Sequence, residues 1–361
     1  QVLLVSGTRP NFIKLAPLYH ALNEYGVDAK ILHTGQHYDR LLSSIFFQEL
    51  KLPEPHYNLN VPPSSQLSQI SIMIAKFEEM CNTIRPEMVV VVGDVNSTLA
   101  CSIASSKLGI PLSHVESGLR SFDREMPEET NRIIVDHISD HCFTTTEIAG
   151  DNLKNEGIDP SRINFVGNVM IDCLVMHEVQ ISKSNICQKL GLIEGGFDVL
   201  TLHRPSNVNS HIKLKQLLEQ FNSESFGNEI IFPVHPRTMK VIENYGLLEN
   251  SNLSNIQFIE PLGYIDFIQL ISKSAFVWTD SGGIQEETTY LGIPCFTIRD
   301  NTERPETIEF GTNRLISINE ISESLRFNYQ RGGNLAKIPL WDGRASYRIA
   351  EKLSQILSSQ S

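Results

Sequence analysis

Short apolar runs rich in β-branched residues recur along the chain, separated by helix-length amphipathic segments. In the first half they are VLLVSG (2–7), AKILHTG (29–35), MVVVVGD (88–94), LSHVES (112–117), HCFTTT (141–146) and INFVG (163–167). The rhythm restarts with DVLTLH (198–203), EIIFPVH (229–235), IQFIE (256–260), AFVWTD (275–280) and PCFTIR (294–299). Continuous apolar runs of this length predict parallel strands buried on both faces, so the pattern predicts two doubly wound α/β units. The seam is expected between Val169 and Asp198, with a linker near 170. This gives a first domain over 1–169, a second over 170–345, and a C-terminal helix over 346–361 that packs back on the first. The first strand of each half ends in a similar phrase, GTRPN (7–11) and HRPSN (203–207). If the echo is more than chance, each half presents an Arg just before a helix-starting Pro, at the corner where open α/β sheets bind ligands.

With 361 residues, 41% hydrophobic and 20% charged, the chain has the balance of a folded two-domain protein. The formal charge of −12, with no basic run along a helix, argues against a nucleic-acid surface; positive charge for an anionic ligand must be local. No apolar stretch approaches the ~20 residues that span a bilayer, and no signal peptide is visible, so a cytoplasmic location is expected. The six cysteines are scattered with no CxxC, and the eleven histidines form no HExxH, so no metal is expected.

In SGTRPNFIKLAPL, Gly7 allows a sharp exit from the strand, Pro10 starts a helix, and Arg9 and Lys14 stand at its opening. Cations at the positive end of a helix are unfavourable unless an anion offsets them, which marks an anion site. The strand MVVVVGD ends in Asp94, which either caps the next helix or faces a crevice. LSHVES places Glu116 at the equivalent edge, so the two carboxylates could share a site, as paired acids and bases do. In MPEETNRIIVDHISD, Pro127 puts Glu128 and Glu129 in a helical first turn. Glu128, Arg132 and Asp136 repeat at i, i+4 and i+8. This is either a surface salt-bridge stripe or a third carboxylate held by an adjacent Arg.

The second half offers two strand-end His-Arg pairs, His203-Arg204 and His235 with Arg237, and a loop carrying Arg299 and Arg304. In TDSGGIQEE (279–287), Ser281 is placed to cap a helix whose first residues, Gly282 and Gly283, let a phosphate approach free backbone N–H groups. Glu287 falls one turn further, roughly 6 Å along the axis, a suitable reach for ribose hydroxyls. Ile284, Thr288 and Leu291 form the stripe that packs on the sheet. Neither GxGxxG nor GKS/T occurs. Asp280 is expected only to finish the strand or help cap the helix.

GTRPNFIKLAPL, VVGDVNST, HVESGLRS, MPEETNR, HRPSN, DSGGIQEE and RDNTERPET, in this order over essentially the whole chain, resemble the non-hydrolysing UDP-N-acetylglucosamine 2-epimerases. The resemblance implies a GT-B fold, two Rossmann-like domains facing a central cleft, and a homodimer. It implies interconversion of UDP-GlcNAc and UDP-ManNAc without cofactor or metal, through elimination of UDP to 2-acetamidoglucal and re-addition. Carried over by position, it makes Asp94, Glu116 and Glu128 acid/base carboxylates, with Arg132 beside Glu128 and His203 as a further catalytic residue. It gives Arg9, Lys14 and His235 to the nucleotide or its diphosphate, and Ser281, Gly282 and Gly283 to the phosphates. Glu287 goes to the ribose, Arg304 to the sugar region, and backbone near Phe267 to the uracil. Positive charge for the diphosphate is then expected across the cleft from Arg9 and Lys14.

Hydrolysing relatives typically lack the Arg-Pro seen at 9 and 10. Members regulated by a second UDP-GlcNAc carry a longer signature after their Gln-His pair than this chain has at Gln36 and His37, where Tyr38 and Asp39 differ. Relatives acting on a UDP-2,3-diacetamido uronic acid share almost every motif, and a GT-B glycosyltransferase or a UDP-sugar sensor would share the phosphate-binding glycines.

Overall fold

The computed structural model describes residues 1–35, 46–222, 227–250, 253–324 and 338–360, so Gln36 to Asp39 lie outside the described residues. The chain divides into two compact units, Gln1–His177 with Ile338–Ser361, and Glu178–Lys337.

The first unit is a seven-stranded parallel sheet. In chain order its strands are β1 (Val2–Ser6), β2 (Ala29–His33), β3 (Tyr57–Asn58), β4 (Met88–Val92), β5 (Leu112–Ser117), β6 (His141–Thr144) and β7 (Ile163–Phe165). Their lateral order is 3-2-1-4-5-6-7, so the winding reverses between β1 and β4. The second unit repeats the plan with β8 (Phe197–Thr201), β9 (Glu229–Pro233), β10 (Ile256–Ile259), β11 (Val277–Thr279), β12 (Cys295–Ile298) and β13 (Asn313–Ile316), ordered 10-9-8-11-12-13. Its reversal falls between β8 and β11. All these pairings are parallel. Such reversals are where open α/β sheets leave a crevice at the carboxyl ends of their strands.

All five residues of β4 and all six of β5 are buried; β4 is accordingly apolar throughout, while β5 buries Ser113, His114, Glu116 and Ser117 as well. The helices that position the functional residues are α1 (Arg9–Glu24), α2 (Asn96–Leu108), α3 (Pro127–Ile138), α4 (Val169–Met176), α5 (Pro205–Val208), α6 (Pro236–Asn244), α7 (Tyr264–Lys273), α8 (Gly282–Leu291) and α9 (Ala345–Gln360). Prolines open α1, α3, α5 and α6, the position where a missing N–H costs nothing. No described helix is long and apolar enough to cross a membrane.

The seam falls after His177 rather than near 170, because α4 belongs to the first unit: Val169 joins Val2, Leu4 and Leu15 in its core. At the other end the first unit resumes at Ile338, ahead of the expected 345. Ala345, Ile349, Ala350 and Leu353 of α9 are buried in that same core, and Asp172 of α4 accepts from the Ala345 and Ser346 amides at the start of α9.

Candidate active site

In the first unit the site is built where β1, β4 and β5 end. The Asn11 side chain fixes the first corner: its Oδ1 accepts from the Gly7 and Thr8 amides at 3.2 and 3.0 Å, while its Nδ2 donates to the Val92 carbonyl at 3.1 Å. That bond ties α1 to the end of β4. One turn along α1, Lys14 forms an ion pair with Glu116 at the end of β5; the two side chains are 9% and 5% exposed. Gly93 lies beneath the pair. A Cβ there would come within 2.9 Å of the Lys14 Nζ and 3.2 Å of Glu116 Oε2, and its φ of +67° also favours glycine. Arg9 is the first residue of α1, and its side chain lies outside what the structure describes.

Asp94, the next residue after Gly93, receives the Arg132 guanidinium at 2.5 Å. Arg132 is buried and holds Glu129 with its other arm at 2.7 Å. The stripe expected along α3 is therefore not what forms: Arg132 pairs with Glu129 three residues away and with Asp94, rather than with Glu128. Glu129 also accepts from the Ser121 amide and hydroxyl and the Phe122 amide, fixing the loop that follows β5. Asp136 turns inward, fully buried, to His114 and Arg120, each at 2.7 Å. Glu128 is half-buried, with no hydrogen-bonding or ionic partner among the described residues.

In the second unit Asp280 has more to do than finish β11. It is fully buried, and its carboxylate accepts from the His203 and Arg204 amides, the Asn207 side chain and the His203 ring, the last at 2.8 Å. It thus holds the turn into α5 at the reversal point between β8 and β11. Burial pushes its carboxyl up, but His203 and the surrounding donors outweigh this and hold it below the usual carboxylate range. The His203 side chain is 55% exposed, with Nδ1 on Asp280 and the rest of the ring toward solvent. Such a bond fixes ring orientation and tautomer.

His235 is the N-cap of α6, its Nδ1 accepting from the Arg237 amide at 3.2 Å. Phe267 packs its side chain against the second unit's core, and its amide is bonded to the Gly263 carbonyl at 3.0 Å, which spends its donor within α7.

Ser281 occupies the N-cap of α8, but its side chain makes no capping bond, and Gly282 and Gly283 form the first turn. The orphan amides of that turn are the kind of group that takes an anion. Arg304 crosses directly over Gly282: a Cβ there would lie 2.4 Å from its guanidinium. Arg304 pairs with Glu303 at 2.6 Å and with Glu286 of α8 at 3.0 Å, and Glu303 reaches Arg299 at 2.8 Å. The acids crowding the glycines are thus met within the same unit by Arg304, the His203 ring and the His203 and Arg204 amides, and Lys14 is already committed to Glu116. Arg299 and Glu303 were not singled out as a pair in the sequence, although their i, i+4 spacing could have been read. Glu287 is buried beside Glu286. Burial first, then the neighbouring carboxyl, pushes it up to about 8.

Two doubly wound units, each with polar side chains gathered where its winding reverses and one with a glycine-led helix, define a GT-B fold. A family model described as UDP-N-acetylglucosamine 2-epimerase matches residues 20–354. The UDP-N-acetylglucosamine 2-epimerase of Methanocaldococcus jannaschii is 40% identical over 360 residues, covering 97% of this chain and 98% of the relative. The UDP-2,3-diacetamido-2,3-dideoxy-D-glucuronate 2-epimerase of Pseudomonas aeruginosa is 38% identical over 368 residues, covering 99% and 100%. The crystal structure of the M. jannaschii enzyme in complex with UDP-GlcNAc and UDP superposes with a TM-score of 0.91, covering 98% of this chain and 99% of that one at 40% identity. The chain belongs to the UDP-N-acetylglucosamine 2-epimerase family, and is an isomerase.

Proposed function

We propose that this enzyme inverts C2 of UDP-GlcNAc to give UDP-ManNAc by eliminating UDP and adding it back. In the forward step a carboxylate takes the C2 proton, the C1–O bond breaks, and its electron pair leaves with UDP as 2-acetamidoglucal forms. In the return step a UDP oxygen bonds to C1 and C2 receives a proton on the opposite face. Asp94, Glu116 and Glu128 share this proton traffic, with Arg132 and His203 beside them. Arg9, Lys14 and His235 contact the nucleotide or its diphosphate, and backbone near Phe267 the uracil. Ser281, Gly282 and Gly283 receive the phosphates, Glu287 the ribose and Arg304 the sugar region.

The observation that carries the reading is the pair of carboxylates at neighbouring strand ends, each with its own buried cation, Lys14 on Glu116 and Arg132 on Asp94. A glycosyltransferase has no need of that arrangement. Incubation with UDP-GlcNAc in D2O is expected to place deuterium at C2 and to yield UDP-ManNAc. Absence of exchange with every UDP-N-acetylhexosamine tried would overturn the reading.

A second reading, epimerisation of a UDP-2,3-diacetamido uronic acid, is favoured by the P. aeruginosa relative, which is nearly as similar as the first. An NMR-monitored panel of the two nucleotide sugars separates them: the substrate with the higher kcat/KM by tenfold or more is the physiological type.

A further inference from the structure

Glu116 has a φ of +74°, in the left-handed region that a residue with a side chain seldom occupies. It is also where the register of β5 against β6 shifts, between Val115 and Ser117. Asp136, arriving from α3, grips the strand with both carboxylate oxygens. Its Oδ1 lies 2.7 Å from His114 Nδ1, two residues before Glu116, and its Oδ2 accepts from the Gly118 amide at 3.1 Å, two residues after. The Ser117 hydroxyl closes the bend further by donating to the His114 carbonyl at 2.7 Å.

His114 extends the grip to the other carboxylate. Its Nε2 lies 2.8 Å from the Gly93 carbonyl, immediately before Asp94. A carbonyl accepts only, and Asp136 has the Arg120 guanidinium at 2.7 Å and is held below the usual carboxylate range, burial opposing and His114 and Arg120 prevailing. Both ring nitrogens of His114 are thus engaged, and the ring is sealed from solvent. One buried ring thus bridges the residue that precedes Asp94 and the acid that grips the strand on both sides of Glu116.

We propose that Asp136 and His114 are positioning residues that hold Glu116 in its left-handed conformation and fix its separation from Asp94. The pair touches neither substrate nor reacting atoms. It acts by aiming the two carboxylates, a task in which a displacement of about 1 Å can cost on the order of a hundredfold in rate. This rests on the epimerase reading of Asp94 and Glu116.

The test uses Asp136→Asn, His114→Gln and the milder Ser117→Ala in the full chain. Each is assayed for deuterium exchange at C2 of UDP-GlcNAc, for UDP binding by calorimetry, and for thermal unfolding. Temperatures are kept well below each midpoint. Asp136→Asn and His114→Gln are expected to lower kcat by about 10- to 100-fold while KM and the UDP dissociation constant stay within twofold. Ser117→Ala is expected to lower kcat by severalfold and needs no buried charge to be removed, so it remains informative if the others do not fold. Folded variants with wild-type kcat, or with kcat and UDP binding reduced together, would overturn the proposal. If the unmodified protein exchanges no deuterium, the epimerase reading itself fails, an outcome distinct from either.

Discussion

Lys14 and Glu116 neutralise each other at the junction of α1 and β5, where neither side chain is more than 9% exposed. Removing one partner strands the other as a buried charge, which typically costs about 3–5 kcal/mol. Lys14→Met is expected to lower the urea midpoint accordingly and to abolish exchange at C2. The double variant Lys14→Met/Glu116→Gln is expected to regain much of the stability and none of the activity. Equal destabilisation by the single and double variants in urea titrations would show that the pair is not coupled.

With His203 in the catalytic role proposed above, His203 and Asp280 separate into a reactive partner and an anchoring one. His203→Asn removes a largely exposed ring, so stability should change by less than about 1 kcal/mol while kcat falls by roughly 10²–10⁴, the usual weight of a positioned acid or base. Asp280→Ala orphans the amides of His203 and Arg204 together with Asn207. It should therefore destabilise more than His203→Asn in chemical denaturation, and reduce kcat as well.

Glu287 gives the protein a pH dependence whose sign is fixed. Its folded-state value, about 8, lies above the ordinary 4.5. The folded chain therefore keeps a proton that the unfolded chain releases. The stability tied to this group is complete below about pH 4.5 and is lost as pH rises through about 8. Glu306, pushed up to about 7 chiefly by burial, slopes the same way. The difference between wild type and Glu287→Gln isolates Glu287: the variant's urea midpoint should fall less between about pH 5 and pH 8.

If Glu287 receives the ribose hydroxyls, the bound state favours the carboxylate, and UDP binding near neutral pH should release a proton. Calorimetry in buffers of different ionisation enthalpy should show that release in the wild type and a loss of it in Glu287→Gln. Binding without proton release in the wild type would detach Glu287 from the ribose.

Gly282 lies directly against the Arg304 and Glu303 side chains. Gly282→Ala sets a methyl group against the Arg304 guanidinium and the Glu303 carboxylate. Both are side-chain ends, so the helix should survive and the arginine should move. UDP affinity is expected to fall on the order of tenfold, about 1.4 kcal/mol, with little change in thermal midpoint; unchanged affinity would separate Arg304 from nucleotide binding.

The apolar runs made most of both sheets readable because buried parallel strands carry unbroken β-branched stretches. The exceptions were β3, two residues long, and β13, whose sequence NRLI opens with two polar residues; neither has such a run. Asp94 and Glu116 were readable as strand-end carboxylates for the same reason. Their partners were harder. Arg132 sits four residues from Glu128, yet its long side chain finds Glu129 and a strand end 38 residues away. Asp280 reaches donors 73 to 77 residues distant. Helical spacing shows which side chains share a face but cannot say which strand end stands opposite.

The C-terminal helix changes how the chain must be assembled. Because α9 fills the core of the first unit, the second unit is in effect an insertion inside the first, and synthesis completes the inserted sheet before the enclosing one can be sealed. Nascent first-unit strands emerge with Val2 and Leu4 lacking the cover that Ile349 and Leu353 later provide. The unit bearing Asp94 and Glu116 is therefore sealed only after the whole of the second unit has been synthesised.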